Sequence, residues 1–185
     1  MVARNLGNLQ EGIAKAREAW KAMASRGLTL SVEQMSGLAA AIGKERPTLS
    51  GEVGGAAIEV RVRSDVVHYG WTDVTAKRAP TGHTVGVHPN PGGVLGYLRS
   101  WLGQDIEIGD EAFDPAYLIT GKPEDGAKSL LTPGVRELVV ALGTKLAGFT
   151  IDDDGARVVL HGVETDEALL GAAVDLAAAG AAWKG

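Results

Sequence analysis

The sequence predicts an α+β fold: a largely antiparallel sheet, made of a four-strand meander plus a C-terminal hairpin, covered by helices. Three observations carry this. Leu9, Ile13, Ala16, Trp20 and Met23 recur at spacings of 4, 3, 4 and 3, the stripe of an amphipathic helix. From Thr48 the apolar period falls to two, with Ile58, Val60 and Val62 alternating against Glu59, Arg61 and Arg63. Strand and helix patterns then segregate along the chain instead of alternating, which favours an antiparallel sheet over a doubly wound one.

Taken in order, the first stripe defines a helix from about Leu9 to Ser25, ended by Gly27, with Glu11, Lys15, Arg17, Glu18 and Lys21 on its solvated face. A second helix is expected from Ser31 to Arg46, with Leu38, Ala41 and Ile42 inward, because Pro47 disfavours helix in the residue before it. Thr48–Val53, the pair Gly54-Gly55 and Ala56–Arg63 form a hairpin. Val66–Ala76 and Thr84–His88 extend it to a four-strand meander, which Asn90-Pro91-Gly92-Gly93 ends. Val94–Leu102 reads as a short helix, and Ala116–Thr120 as a further strand. A helical turn follows from Pro123 to Leu131, and Thr132-Pro133 then reads as the N-cap and first residue of the next helix. That helix turns Val135, Leu138, Val139 and Leu142 inward. Phe149–Asp153 and Ala156–His161 make the closing hairpin, and Thr165 caps a last Ala-rich helix. At about 150 residues per domain, 185 residues divide into an amphipathic N-terminal helix (1–26) and a single α+β domain (27–185).

Composition excludes several classes of function. With no cysteine, thiolate catalysis, disulfides and thiolate metal centres are absent. A net charge of −5 and the lack of a Lys/Arg run argue against a nucleic-acid partner. The N-terminus carries no apolar signal core, and Ala168–Trp183 is too short and too rich in Ala and Gly for a span, so a cytoplasmic protein without a membrane span is expected.

Gly109-Asp110-Glu111-Ala112-Phe113-Asp114-Pro115-Ala116-Tyr117, followed by Ala127, Leu130, Leu131, Thr132 and Pro133, resembles a bacterial domain-of-unknown-function family. In that family a D-P-x-F-[DE]-x-x-[FY] segment leads to A-x-x-[IL]-L-T-P, often after transmembrane helices. The resemblance covers about Asp105 to Leu142 and implies a fold without implying an activity.

The chemistry on offer is sparse. Asp110, Glu111 and Asp114 beside Tyr117 are the densest carboxylate group, and carboxylates near a phenol suit acid–base work or a hard metal. The structural reading is that Asp110 and Asp114 cap turns while Phe113 and Tyr117 fill the core. His68, His83, His88 and His161 lack metal-ligand spacing, and Asp152-Asp153-Asp154-Gly155 reads as a turn and not as a calcium loop. No nucleophile motif or cofactor loop is present, so no cofactor, metal site or catalytic residue is assigned. Tyr69 and Trp71 share a strand face, and Tyr97 and Trp101 one side of the short helix. With His68 and Trp20 these aromatics suit a partner surface or an apolar pocket. The reading is a non-catalytic binding or scaffolding module acting through a protein partner or self-association. The alternatives are a small-ligand carrier with an apolar pocket between sheet and helices, and a hydrolase or metal enzyme using Asp110 and Asp114.

Overall fold

The computed structural model describes residues 2–34, 45–63, 70–90 and 106–185. Helix α1 (Val2–Trp20) runs into a 3-10 turn (Lys21–Arg26) that Gly27 ends at φ +83°. Among the described residues eight strands follow, two helices interrupting them and a third closing the chain: β1 (Leu28–Gln34), β2 (Glu45–Val53), β3 (Ala56–Arg63), β4 (Trp71–Ala76), β5 (Thr84–Pro89), β6 (Tyr117–Lys122), α2 (Glu124–Leu130), α3 (Pro133–Leu142), β7 (Leu146–Asp152), β8 (Gly155–His161) and α4 (Glu167–Ala182).

All eight strands belong to one sheet, in the order β1-β2-β3-β4-β8-β7-β5-β6, and every pairing is antiparallel. This corrects the expected four-strand meander plus hairpin in two ways. Ser31–Gln34 is the end of an edge strand and not the start of a helix: Leu28, Leu30 and Val32 alternate with Thr29, Ser31 and Glu33, and Arg46 already lies in β2. The rest of that expected helix, 35–44, lies outside the described residues, as does the expected helix at 94–102. Second, β4 does not pair with β5. The β7–β8 hairpin inserts between them, β8 beside β4 and β7 beside β5.

The register puts one apolar row across the whole sheet: Leu30, Leu49, Val60, Val74, Val158, Phe149, Val87 and Ile119. All but Leu30 are fully buried. The helices cover this face. α4 crosses it through Leu170, Val174 and Ala177, and α1 adds Ile13, Ala16 and Trp20. Thus Trp20 packs within its own chain, while the charged face of α1 pairs Lys15 with Glu11 and Lys21 with Glu18 in solvent. Where α1 meets the β8–α4 connection, the Trp20 indole N–H donates to the Glu164 carbonyl (2.9 Å). The Glu164 N–H donates to Thr72 Oγ1 (2.7 Å), and the Thr72 hydroxyl donates to the Gly162 carbonyl (3.1 Å).

Helix starts follow the expected chemistry, with one change. Thr132 caps α3, its side chain accepting the Val135 N–H, and Pro133 occupies the first turn. The cap of α4 is Asp166 and not Thr165: the Asp166 carboxylate accepts the N–H groups of Ala168 (2.8 Å) and Leu169 (3.1 Å). An ionised cap beside the helix dipole outcompetes a hydroxyl one residue earlier. Among the described residues, no helix is long and apolar enough to cross a membrane.

On the opposite sheet face Asp73, only 3% exposed, accepts Arg157 through Nε (2.7 Å) and Nη2 (3.0 Å) and Arg63 through Nε (2.6 Å). Two guanidinium groups therefore compensate one desolvated carboxylate, the condition for burying a charge in a sheet.

Candidate functional site

The segment before β6 is built by two aspartates. The Asp114 carboxylate accepts the N–H groups of Ile108 (3.2 Å), Gly109 (2.9 Å) and Asp110 (3.1 Å). Gly109, at φ +81°, permits the turn. Asp110 Oδ1 accepts the N–H groups of Ala112 and Phe113, both at 3.0 Å, an Asx-type turn. Its Oδ2 meets Arg136 Nε at 3.0 Å, and Arg136 Nη1 also donates to the Leu131 carbonyl (2.8 Å). One guanidinium thus fastens α3 to the segment.

Between these two elements lies a groove of about 630 Å³, within the usual size of small-molecule sites. Phe113 and Tyr117 stack at 4.5 Å between ring centroids and form its floor. Ala112 and Ala116 line one wall; Pro133, Val140 and Ala141 line the other, with Asp110, Arg136 and Glu137 supplying charge. Val140 is 57% exposed, off the inward stripe of Val135, Val139 and Leu142. The arrangement is suited to holding a molecule with an apolar part. The two aspartates of the segment are engaged: Asp114 accepts backbone N–H groups, and Asp110 accepts backbone N–H groups and Arg136. A second, more polar opening of about 690 Å³, lined by Thr84, Ile106, Thr120, Gly121, Lys122, Pro123 and Glu124, lies at the β5–β6 end of the sheet.

Burial pushes the Tyr117 phenol above its ordinary value. In the unfolded chain a phenol loses its proton near pH ~10, whereas folded Tyr117 keeps it to higher pH. Across that interval the unfolded state binds fewer protons, so folding stability falls as pH rises; below it the contribution is fully present. Tyr117→Phe is therefore expected to flatten the alkaline loss of stability, measured as the difference between the two proteins' urea midpoints from about pH 9 to about pH 11.

The sequence-predicted site residues disperse. Asp110 and Tyr117 line the groove, Asp114 lies behind it holding the segment, and Glu111 is exposed on the turn. Trp20 is a core residue. Trp71 is half-buried and pairs in register with Arg63. His68, Tyr69, Tyr97 and Trp101 lie outside the described residues. His83 packs edge-on against Trp183 with centroids 5.3 Å apart, His88 lies over Gly86 and Gly148, and His161 ends β8. Among the described residues, no three His, Asp or Glu gather as a metal site. Among the described residues, Trp20, Met23, Phe149 and Leu160 pack in the core between sheet and helices, and the two openings described above lie at the surface. Sequence reasoning missed Arg136 and Val140. An apolar residue off the α3 stripe was the available signal for Val140; none existed for the Arg136–Asp110 pairing.

No family model and no curated protein matches the chain. Among solved structures it is similar to the crystal structure of the mycobacterial trehalose monomycolate transport factor A, TtfA, with a TM-score of 0.55. The alignment covers 91% of this chain and 92% of that one at 11% identity. At that identity the likeness is one of fold alone.

Proposed function

We propose that the chain is a carrier module that holds the apolar part of an amphipathic ligand in the groove between residues 110–117 and α3. The observation that carries this reading is Val140, exposed beside Ala112, Ala116, Pro133 and Ala141 above the Phe113–Tyr117 stack. Apolar walls with a few polar groups at one side are the usual make-up of a small-molecule site. Arg136, Asp110 and Glu137 supply both signs of charge for a polar headgroup. The fold likeness to a factor named for trehalose monomycolate transport is in keeping with a carrier reading.

The test uses dodecyl maltoside below its micelle concentration as an amphipathic probe, followed by calorimetry or amide shifts of Val140 and Ala141. The wild type is expected to bind. Val140→Asp is expected to weaken binding by about tenfold or more, since placing a charge against the apolar tail costs at least ~1.4 kcal/mol. Its unfolding free energy is expected to fall by no more than about 1 kcal/mol, because Val140 is exposed, the cost being that of a carboxylate in the last turn of α3. Absence of binding by the wild type, or equal binding by a folded Val140→Asp, rejects the carrier reading.

A further inference from the structure

The sheet has two outer edges, and they are treated differently. Beside β6, the Ile106 N–H donates to the Ile119 carbonyl (2.8 Å), and the strand ends in Lys122 and Pro123, the residue types that blunt an edge. β1 has neither device. It is seven residues of Leu-Thr-Leu-Ser-Val-Glu-Gln with no proline, lysine or register shift, and among the described residues no backbone bond reaches the outer side of Leu28, Leu30 or Val32.

The hydrogen-bonding phase of β1 follows from two independent features of β2. The two-residue turn Gly54-Gly55 closes on the pair Val53–Ala56, so Val53, Gly51 and Leu49 direct their amides toward β3. Pro47, with no N–H to give, falls in the same phase, where the β2–β3 ladder has stopped at Thr48–Arg61. Both place the β1–β2 bonds at Thr29–Ser50, Ser31–Thr48 and Glu33–Arg46. Leu28, Leu30 and Val32 therefore point their N–H and C=O groups outward.

We propose that this edge is an interface at which a second copy of the chain adds its own β1, antiparallel, to continue the sheet. The edge is self-complementary about Leu30. Leu30 meets Leu30 of the second copy and Leu28 meets its Val32, giving three bonded pairs with apolar side chains opposite apolar on the core face. Val32, 38% exposed, is covered there. On the other face Thr29 meets Ser31, and Glu33 falls opposite Gly27, so no like charges oppose. A two-fold axis through Leu30 makes the contact closed, yielding a dimer and not a filament.

Native mass spectrometry and light scattering over a dilution series test this. The wild type is expected at twice 19.1 kDa and Val32→Pro at 19.1 kDa. The proline removes an outward N–H, and Val32 faces Pro47 across a non-bonded pair, so no β1–β2 bond is lost. Hydrogen exchange on the wild type gives an answer that does not depend on the variant's folding. The Leu30 and Val32 amides are expected to be protected in the concentrated protein and to exchange about tenfold faster or more on dilution. A wild type of 19.1 kDa at every concentration, a folded Val32→Pro that stays dimeric, or a dimer in which these two amides exchange freely overturns the proposal.

Discussion

Trp20→Ala is expected to destabilise the protein by about 3–5 kcal/mol, the range for truncating a buried aromatic side chain. Trp20 is fully enclosed among core side chains, and the loss has two parts. Deleting the indole removes its packing and opens a cavity under α1. It also strips the buried Glu164 carbonyl of its donor, at the junction where the Glu164 N–H donates to Thr72 Oγ1 and the Thr72 hydroxyl to the Gly162 carbonyl. Trp20→Phe separates the two parts, because it keeps much of the volume and loses the N–H; its expected cost is about 1–2 kcal/mol. Urea denaturation followed by circular dichroism checks both. A loss below about 1 kcal/mol for Trp20→Ala would mean that α1 does not dock on the sheet through this residue.

Gly180→Leu is expected to cost about 3 kcal/mol, at the upper end for overpacking a filled core. A Cβ at position 180 would lie 2.8 Å from Ala156 Cβ, 3.0 Å from Phe149 Cζ and 3.1 Å from Ile151 Cδ1. These belong to the β7–β8 hairpin, so the small face of α4 sets how closely that helix rests on the centre of the sheet. The close approach to Ala156 is the specific conflict. Gly180→Leu combined with Ala156→Gly is therefore expected to recover part of the loss, and a double-mutant cycle of unfolding free energies measures how much. Strict additivity of the two changes would count against direct contact between α4 and β8 at this point.

The residues that made much of the fold legible are those whose environment is set locally. The α1 stripe, the Thr132-Pro133 helix start, the Gly54-Gly55 and Asp154-Gly155 hairpins and the alternation in β3 all express a period or a turn chemistry within a few residues. Two kinds of information were not local. The choice between helix and strand at Ser31 depended on pairing with Thr48, since apolar residues downstream also fit a helical spacing. The neighbours of β4 and β5 were set by a hairpin about seventy residues further on, which no local pattern announces. The same division holds at the groove. The turn-forming roles of Asp110 and Asp114 followed from short acidic side chains next to Gly and Pro, but the facing wall comes from α3, and only folding brings Arg136 to Asp110.

The insertion of β7 and β8 between β4 and β5 also constrains how the chain is made. As it leaves the ribosome, β1 to β6 emerge with a gap at the middle of their sheet, and the facing edges of β4 and β5 stay bare until His161 has been synthesised. Pairings this distant in sequence form slowly, and bare strand edges are the surfaces through which nascent chains stick to one another. The hairpin is thus a keystone delivered last: a message truncated before it yields two half-sheets with opposed open edges, a product for chaperones to hold and proteases to clear.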